Sequence, residues 1–289
     1  MIAFQKLEQN YIDLASHATI VPAREHELQS ACERLLHDKS VWLKAEAAVN
    51  IPAAALMALG EREMTGNTHC YLGNGQSLKM RTTIVPLNRG PFEQEYPDDF
   101  VAGCADSIHL DGIDQLIRQN GGVLTIPLFC YISEDWNGWG YRARGIPSPY
   151  VFGATTMQRP GKFPRDHVFD ATMMDPQLGT LAIVEELVKQ DPSLTFSDTV
   201  PKIEAPSIVP AVSPHPVISS TVTPEWIQSS LNRLRIPGTP LLVDGNIGRA
   251  TRAVVRTFEQ RNRLLVDRGI PGPQVIARLK QSLAENGMA

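Results

Sequence analysis

The stretch GEREMTGNTHCYLGNGQ, Gly60 to Gln76, sets two carboxylates beside a turn signal. A carboxylic acid on the apolar side of a helix end is suited to general acid chemistry. Burial disfavours its charged form and raises its pKa toward working pH. Protonating the leaving oxygen of a glycosidic bond needs such an acid. At about 100° per residue, Leu56, Leu59 and Glu63 share one stripe, whereas Glu61 turns away toward Met57. Glu63 is therefore the candidate acid, and Glu61 reads as a solvated or bracing neighbour. A Glu at a helix end is more commonly a plain surface residue, so the assignment needs further signals.

Flat aromatic faces on rigid polar loops suit sugar rings. The block EDWNGWGYRARGIPSPYVFG, Glu134 to Gly153, gathers Trp136, Trp139, Tyr141, Tyr150 and Phe152 among glycines and prolines. Exposed, such a block is a binding surface. Buried, it is core beside a helix end, and composition alone does not choose.

Other chemistries find less support. The seven histidines are scattered and no H-E-x-x-H occurs, so zinc peptidase or amidase spacing is missing and no metal or cofactor is expected. Cys32, Cys70, Cys104 and Cys130 form no C-x-x-C pair and read as free thiols, although an even count permits disulfides. His69 and Cys70 are adjacent, which on a strand sends them to opposite faces. A net charge of -4 argues against a dedicated nucleic-acid binder. No apolar run approaches membrane-span length, so no membrane insertion is expected. The N-terminal MIAFQKLEQNYIDLAS lacks a signal-peptide core. Synthesis in the cytoplasm is the expectation.

The elements that must position Glu63 are mostly helical. Helices are expected over about 23–36, 41–49, 52–66, 105–118 and 122–135, with Pro52 in the first turn of the third and Gly66 at its cap. The Asn74-Gly75 pair predicts a β-hairpin wing from Tyr71 to Pro86. From Pro192 to Pro224 there are seven prolines among many Ser, Thr and Val residues, the composition of a semi-extended linker. Three more helical segments follow. The expected division is a domain over 1–191, a Pro-rich linker over 192–223 and a three-helix domain over 224–289.

Together, ALGEREMTGN with YLGNGQSLKMRTTIVP, then EDWNGWGYRARGIPSPYVFG, then GKFPRDHVFD resemble a lysozyme-like peptidoglycan hydrolase domain across most of residues 40–190. The resemblance implies an α+β, mainly α fold with a small β-wing and a groove for a glycan strand. It also implies that Glu63 is the catalytic acid of a muramidase. Glu134 matches a recurrent acidic position and is the candidate second catalytic residue, with Asp135, Asp98 and Asp99 as further carboxylates. Asn74, Thr82 and Thr83 on the hairpin wall and Trp139, Tyr141 and Tyr150 opposite are the expected substrate-binding residues. The chain departs from the family in having Gly60 where His is common and Met64 directly after the Glu.

No Asp or Glu occurs from Asn67 to Leu87, so a lytic transglycosylase working with one Glu remains an alternative. IQSSLNRL, LLVDGNIGRATRAVVRTFEQ and GIPGPQVIARL, within about 225–283, resemble a peptidoglycan-binding domain. A non-catalytic wall-binding protein is the third reading. The resemblances together imply an endolysin-like bacteriolytic monomer acting on peptidoglycan, released through a holin-like pore or a secretion machine.

Overall fold

The computed structural model describes residues 3–165, 168–194, 196, 222–245, 247–264, 269 and 271–288. Most of the expected Pro-rich linker lies outside the described residues.

The larger unit is a helical assembly around α4 (Ala53–Met64). Every residue of α4 from Ala53 to Gly60 is buried. Its run of alanines lets neighbours approach closely. It packs against α3 (Lys39–Val49) and α9 (Thr180–Gln190), and α2 (Glu25–His37) covers the same side. A second layer pairs α1 (Glu8–His17) with α7 (Ile126–Asn137). α5 (Asp98–Leu110) lies on α3, and the one-turn α8 (Pro149–Phe152) bridges α7 and α9. Trp42, Tyr11, Tyr71, Tyr131, Phe100 and Phe129 fill the core between the layers.

The structure modifies two expectations. The helix predicted over 105–118 is two helices, α5 and α6 (Ile113–Gln119), because Gly112 adopts φ +65° and breaks the run. The segment from Tyr71 to Pro86 is not a paired hairpin. It holds one isolated bridge, Cys70 with Ser77, and then a compact loop. Side chains replace the ladder: Gln76 Oε1 accepts from the amides of Thr83 and Ile84 at 2.8 and 3.1 Å, and Asn74 Nδ2 donates to the Ile84 carbonyl at 3.1 Å. Pro86 and Pro91 remove donors that strands would need. The two-stranded antiparallel sheet lies elsewhere, β1 (Lys162–Arg165) against β2 (Val168–Asp170), within the GKFPRDHVFD motif.

The smaller unit has its own core. Helices α10 (Pro224–Arg233), α11 (Arg249–Arg261) and α12 (Pro273–Glu285) enclose Ile227, Leu231, Val254, Val255, Phe258, Val275 and Leu279. This hydrophobic cluster is separate from that of the larger unit. Among the described residues no single helix is long and apolar enough to cross a membrane.

Candidate active site

The last turn of α4 ends in a left-handed cap. Thr65 has φ +53° and Gly66 φ +70°, and the Gly66 amide donates back to the Gly60 carbonyl at 3.1 Å. This stop leaves Glu63 on the final turn, half-buried. The Asn74-Gly75 turn packs directly behind it. Gly75 has φ +72°, and a Cβ there would sit 2.8 Å from the Glu63 carbonyl oxygen, so only glycine suits the position.

Two donors from other elements converge on the Glu63 carboxylate. Trp136 Nε1, from the last turn of α7, donates to Glu63 Oε1 at 2.9 Å, and the Tyr150 hydroxyl, from α8, donates to the same oxygen at 2.8 Å. Arg62 lies over the Tyr150 ring with its guanidinium carbon 4.5 Å from the centroid. It also reaches Asp175 at 3.4 Å and the Leu178 carbonyl at 3.1 Å. Glu63 is thus fixed by an indole, a phenol and a neighbouring arginine that locks the phenol.

Arg62 also lines a cleft of about 240 Å³ with Asn137, Tyr141, Lys162, Asp175 and Asp244, and with Gly138, Gly140, Phe163 and Gln177; Glu63 itself is outside that lining. Lys162 Nζ and Arg62 both contact the buried Asp175. A mixed polar lining with Tyr141 and Phe163 as aromatic faces suits a neutral polyhydroxy ligand. Arg62, Lys162 and Asp244 lie inside the quoted motifs without having been singled out, and Asp175 and Gln177 lie outside them, because only the fold brings these five distant positions together.

Glu134 does not join Glu63. It is two residues from Trp136 on α7, hence turned by about 200° to the opposite face. There it is 1% exposed. Its Oε2 accepts from the Tyr11 hydroxyl at 2.5 Å and from Arg142 Nε and Nη2 at 3.1 and 2.8 Å. Arg142 also reaches Asn10 at 3.1 Å and lies over the Tyr11 ring. Burial, then the Glu134 charge, pushes the Tyr11 phenol well above its ordinary value. This placement makes Glu134 a brace between α1 and α7.

The other carboxylates are engaged as well. Asp135 Oδ1 accepts from Trp139 Nε1 at 2.8 Å and pairs with Arg252 at 2.5 Å. Asp99 pairs with Lys79 at 2.9 Å and accepts from the Phe100 amide, while the exposed Asp98 lies 3.8 Å from Lys44. Glu61 faces a different, larger cavity of about 600 Å³ that it shares with Arg34, and bonds to Arg34 at 2.7 Å. Burial raises the Glu61 pKa, with Arg34 offsetting part of the effect.

The expected substrate-binding residues divide. Tyr141 lines the cleft and Tyr150 holds Glu63. Trp139 is instead a core residue, 4% exposed and packed edge-on against Tyr131 at 5.3 Å, so the aromatic block is largely interior. Asn74 and Thr82 hold their own loop together. The Thr82 hydroxyl, buried, donates to the Pro86 carbonyl at 2.5 Å. Thr83 is exposed and receives a bond from Gln76 at 2.9 Å. These three shape the loop behind Glu63 and do not line the cleft.

Cys32, Cys70, Cys104 and Cys130 are free thiols. Burial pushes the Cys32 thiol up to about 12 and Cys104 higher still, which opposes thiolate chemistry at those positions. Among the described residues no group of three His, Cys, Asp or Glu side chains is arranged to hold a metal ion.

Residues 223–279 match the peptidoglycan binding domain family. The C-terminal three-helix unit is therefore a peptidoglycan-binding domain, and peptidoglycan is the partner it brings to the chain. No curated protein and no solved structure matches the chain.

Proposed function

We propose that the chain cleaves the glycan strand of peptidoglycan, with Glu63 as general acid and the C-terminal domain holding the enzyme to the wall. The observation that carries this reading is the convergence of Trp136 and Tyr150 on Glu63 Oε1, next to an Arg62 that lines a polar cleft, in a chain that bears a peptidoglycan-binding domain. Two donors on Oε1 fix the carboxyl group in one orientation. In the proposed reaction, proton transfer from Glu63 to the bridging oxygen breaks the C1–O bond and releases the leaving sugar as an alcohol. Tethering to the wall raises the local substrate concentration.

A muramidase completes the reaction with water at C1, and a lytic transglycosylase with the substrate's own C6 hydroxyl. The second route is favoured by one observation. Glu134, Asp135, Asp99 and Asp175 are each engaged by cations or donors, an arrangement that suits a mechanism needing no second carboxylate as base.

The deciding experiment is mass spectrometry of muropeptides released from purified sacculi by the wild type and Glu63→Gln. New reducing ends identify a muramidase, and 1,6-anhydro ends a transglycosylase. Undiminished release by Glu63→Gln would remove Glu63 from the mechanism, and absence of release by the wild type would leave a wall-binding protein.

A further inference from the structure

The two units are joined by a buried ionic interface. Arg252 and Arg256 lie four residues apart on α11 and so share one face. Arg252 pairs with Asp135 at 2.5 Å and also donates to the Asp135 carbonyl, and Arg256 pairs with Asp111 at 3.2 Å. All four side chains are at least nine-tenths buried. Asp135 directly precedes Trp136, the residue that holds Glu63.

The same docking brings Asp244 to the cleft of the larger unit, where it lines one wall with Arg62, Asn137 and Tyr141. Asp244 is a rigid feature. Its carboxylate accepts from Gln228 Nε2 at 2.6 Å, and Gln228 Oε1 accepts from the amides of Asp244 and Gly245 at 3.0 and 2.9 Å. Gln228 is itself 1% exposed. At Gly245, φ +76°, a Cβ would run into the Glu225 carboxylate.

We propose that the peptidoglycan-binding domain is a wall of the catalytic cleft. Docked through Arg252 and Arg256, it presents Asp244 as an acceptor for hydroxyl groups of the same glycan segment that Glu63 acts on. The domain is then part of the substrate site as well as a tether. This inference rests on the glycan-cleaving reading above.

The test measures binding of a soluble N-acetylglucosamine–N-acetylmuramic acid oligomer by calorimetry in full-length Glu63→Gln protein. A short soluble ligand gains nothing from wall tethering. Two undocking variants are compared, Arg252→Asp/Arg256→Asp on one domain and Asp111→Arg on the other, so that a folding defect in either domain cannot imitate the result. Both are expected to weaken oligomer binding at least tenfold while sedimentation with sacculi stays within about twofold. Equal binding in the undocked variants overturns the composite cleft. Tighter binding also overturns it, since the domain would then be a cover. Absence of lysis by the wild type, together with absence of oligomer binding by Glu63→Gln, overturns the functional reading and this inference with it. An active wild type with docking-independent binding sinks the inference alone.

Discussion

Trp136 and Glu63, seventy-three positions apart, meet through a single indole hydrogen bond of 2.9 Å. The indole has no other polar atom to offer, so the bond is lost entirely in Trp136→Phe. A hydrogen bond to a charged group contributes about 1.5–3 kcal/mol, and each 1.36 kcal/mol on a barrier is tenfold in rate. Trp136→Phe and Tyr150→Phe should each lower sacculus lysis by about ten- to a hundredfold, with near-native circular dichroism. Lysis at the wild-type rate in both would show that the acid does not depend on this geometry.

Glu134 and Arg142 form an ion pair with both side chains 1% exposed. Removing one partner of such a pair strands the other charge and costs about 3–5 kcal/mol, whereas replacing both with apolar residues is far less damaging. Arg142→Ala should therefore fall sharply in urea midpoint. The double variant Glu134→Leu/Arg142→Met should recover much of the loss and keep its lytic activity. Abolished lysis in a well-folded double variant would restore Glu134 as a catalytic candidate.

Packing accounts for the glycine at position 60 of α4. A Cβ at Gly60 would lie 2.4 Å from Cη2 of the fully buried Trp42. Alanine would gain about 1 kcal/mol of helix propensity in the open. Here overpacking of about 1–3 kcal/mol opposes it, because Trp42 is wedged against Phe100 at 5.0 Å and has no room to retreat. Gly60→Ala should lower the melting temperature, and Gly60→Ala with Trp42→Phe should recover part of it.

Asp191, at the end of α9, ties back to the start of α3. Its carboxylate receives Lys39 Nζ at 2.5 Å and Ser193 Oγ at 2.6 Å. These bonds, the Lys39 one first, hold its pKa down to about 2, against about 3.9 in an unfolded chain. The folded state therefore binds fewer protons in that window, and the contribution is present above about pH 4 and lost as pH falls through about 2. Asp191→Asn should be less stable than the wild type at neutral pH, with the difference closing in acid denaturation near pH 2. A constant difference across the titration would rule out the linkage.

Periodicity made several elements legible. α2, α3, α4 and the three C-terminal helices lie close to their expected positions, because each carries an apolar stripe that only a helix can bury on one side. The turn at Asn74-Gly75 was equally readable, but the strands beside it were not. The β-rich flanks from Tyr71 to Pro86 carry the right residue types, yet Asn74 and Gln76 bond the backbone that a strand partner would have taken. The aromatic block was ambiguous for a related reason. Composition describes a sticky surface and a packed interior in the same letters, and burial assigns Trp139 to the interior while leaving Tyr141 at the cleft.

Local sequence alone determined that Glu63 ends an apolar helix stripe, that a glycine turn follows it, and that three amphipathic helices follow the Pro-rich segment. These properties depend on neighbours within a few residues, whose spacing sets which face is apolar and where the helix must stop. The tertiary structure decided which donors hold Glu63, which way α7 turns Glu134, and how Arg252 and Arg256 seat one domain on the other. Each of those contacts joins residues distant in the chain, and only the packing of whole helices brings such side chains within hydrogen-bonding distance.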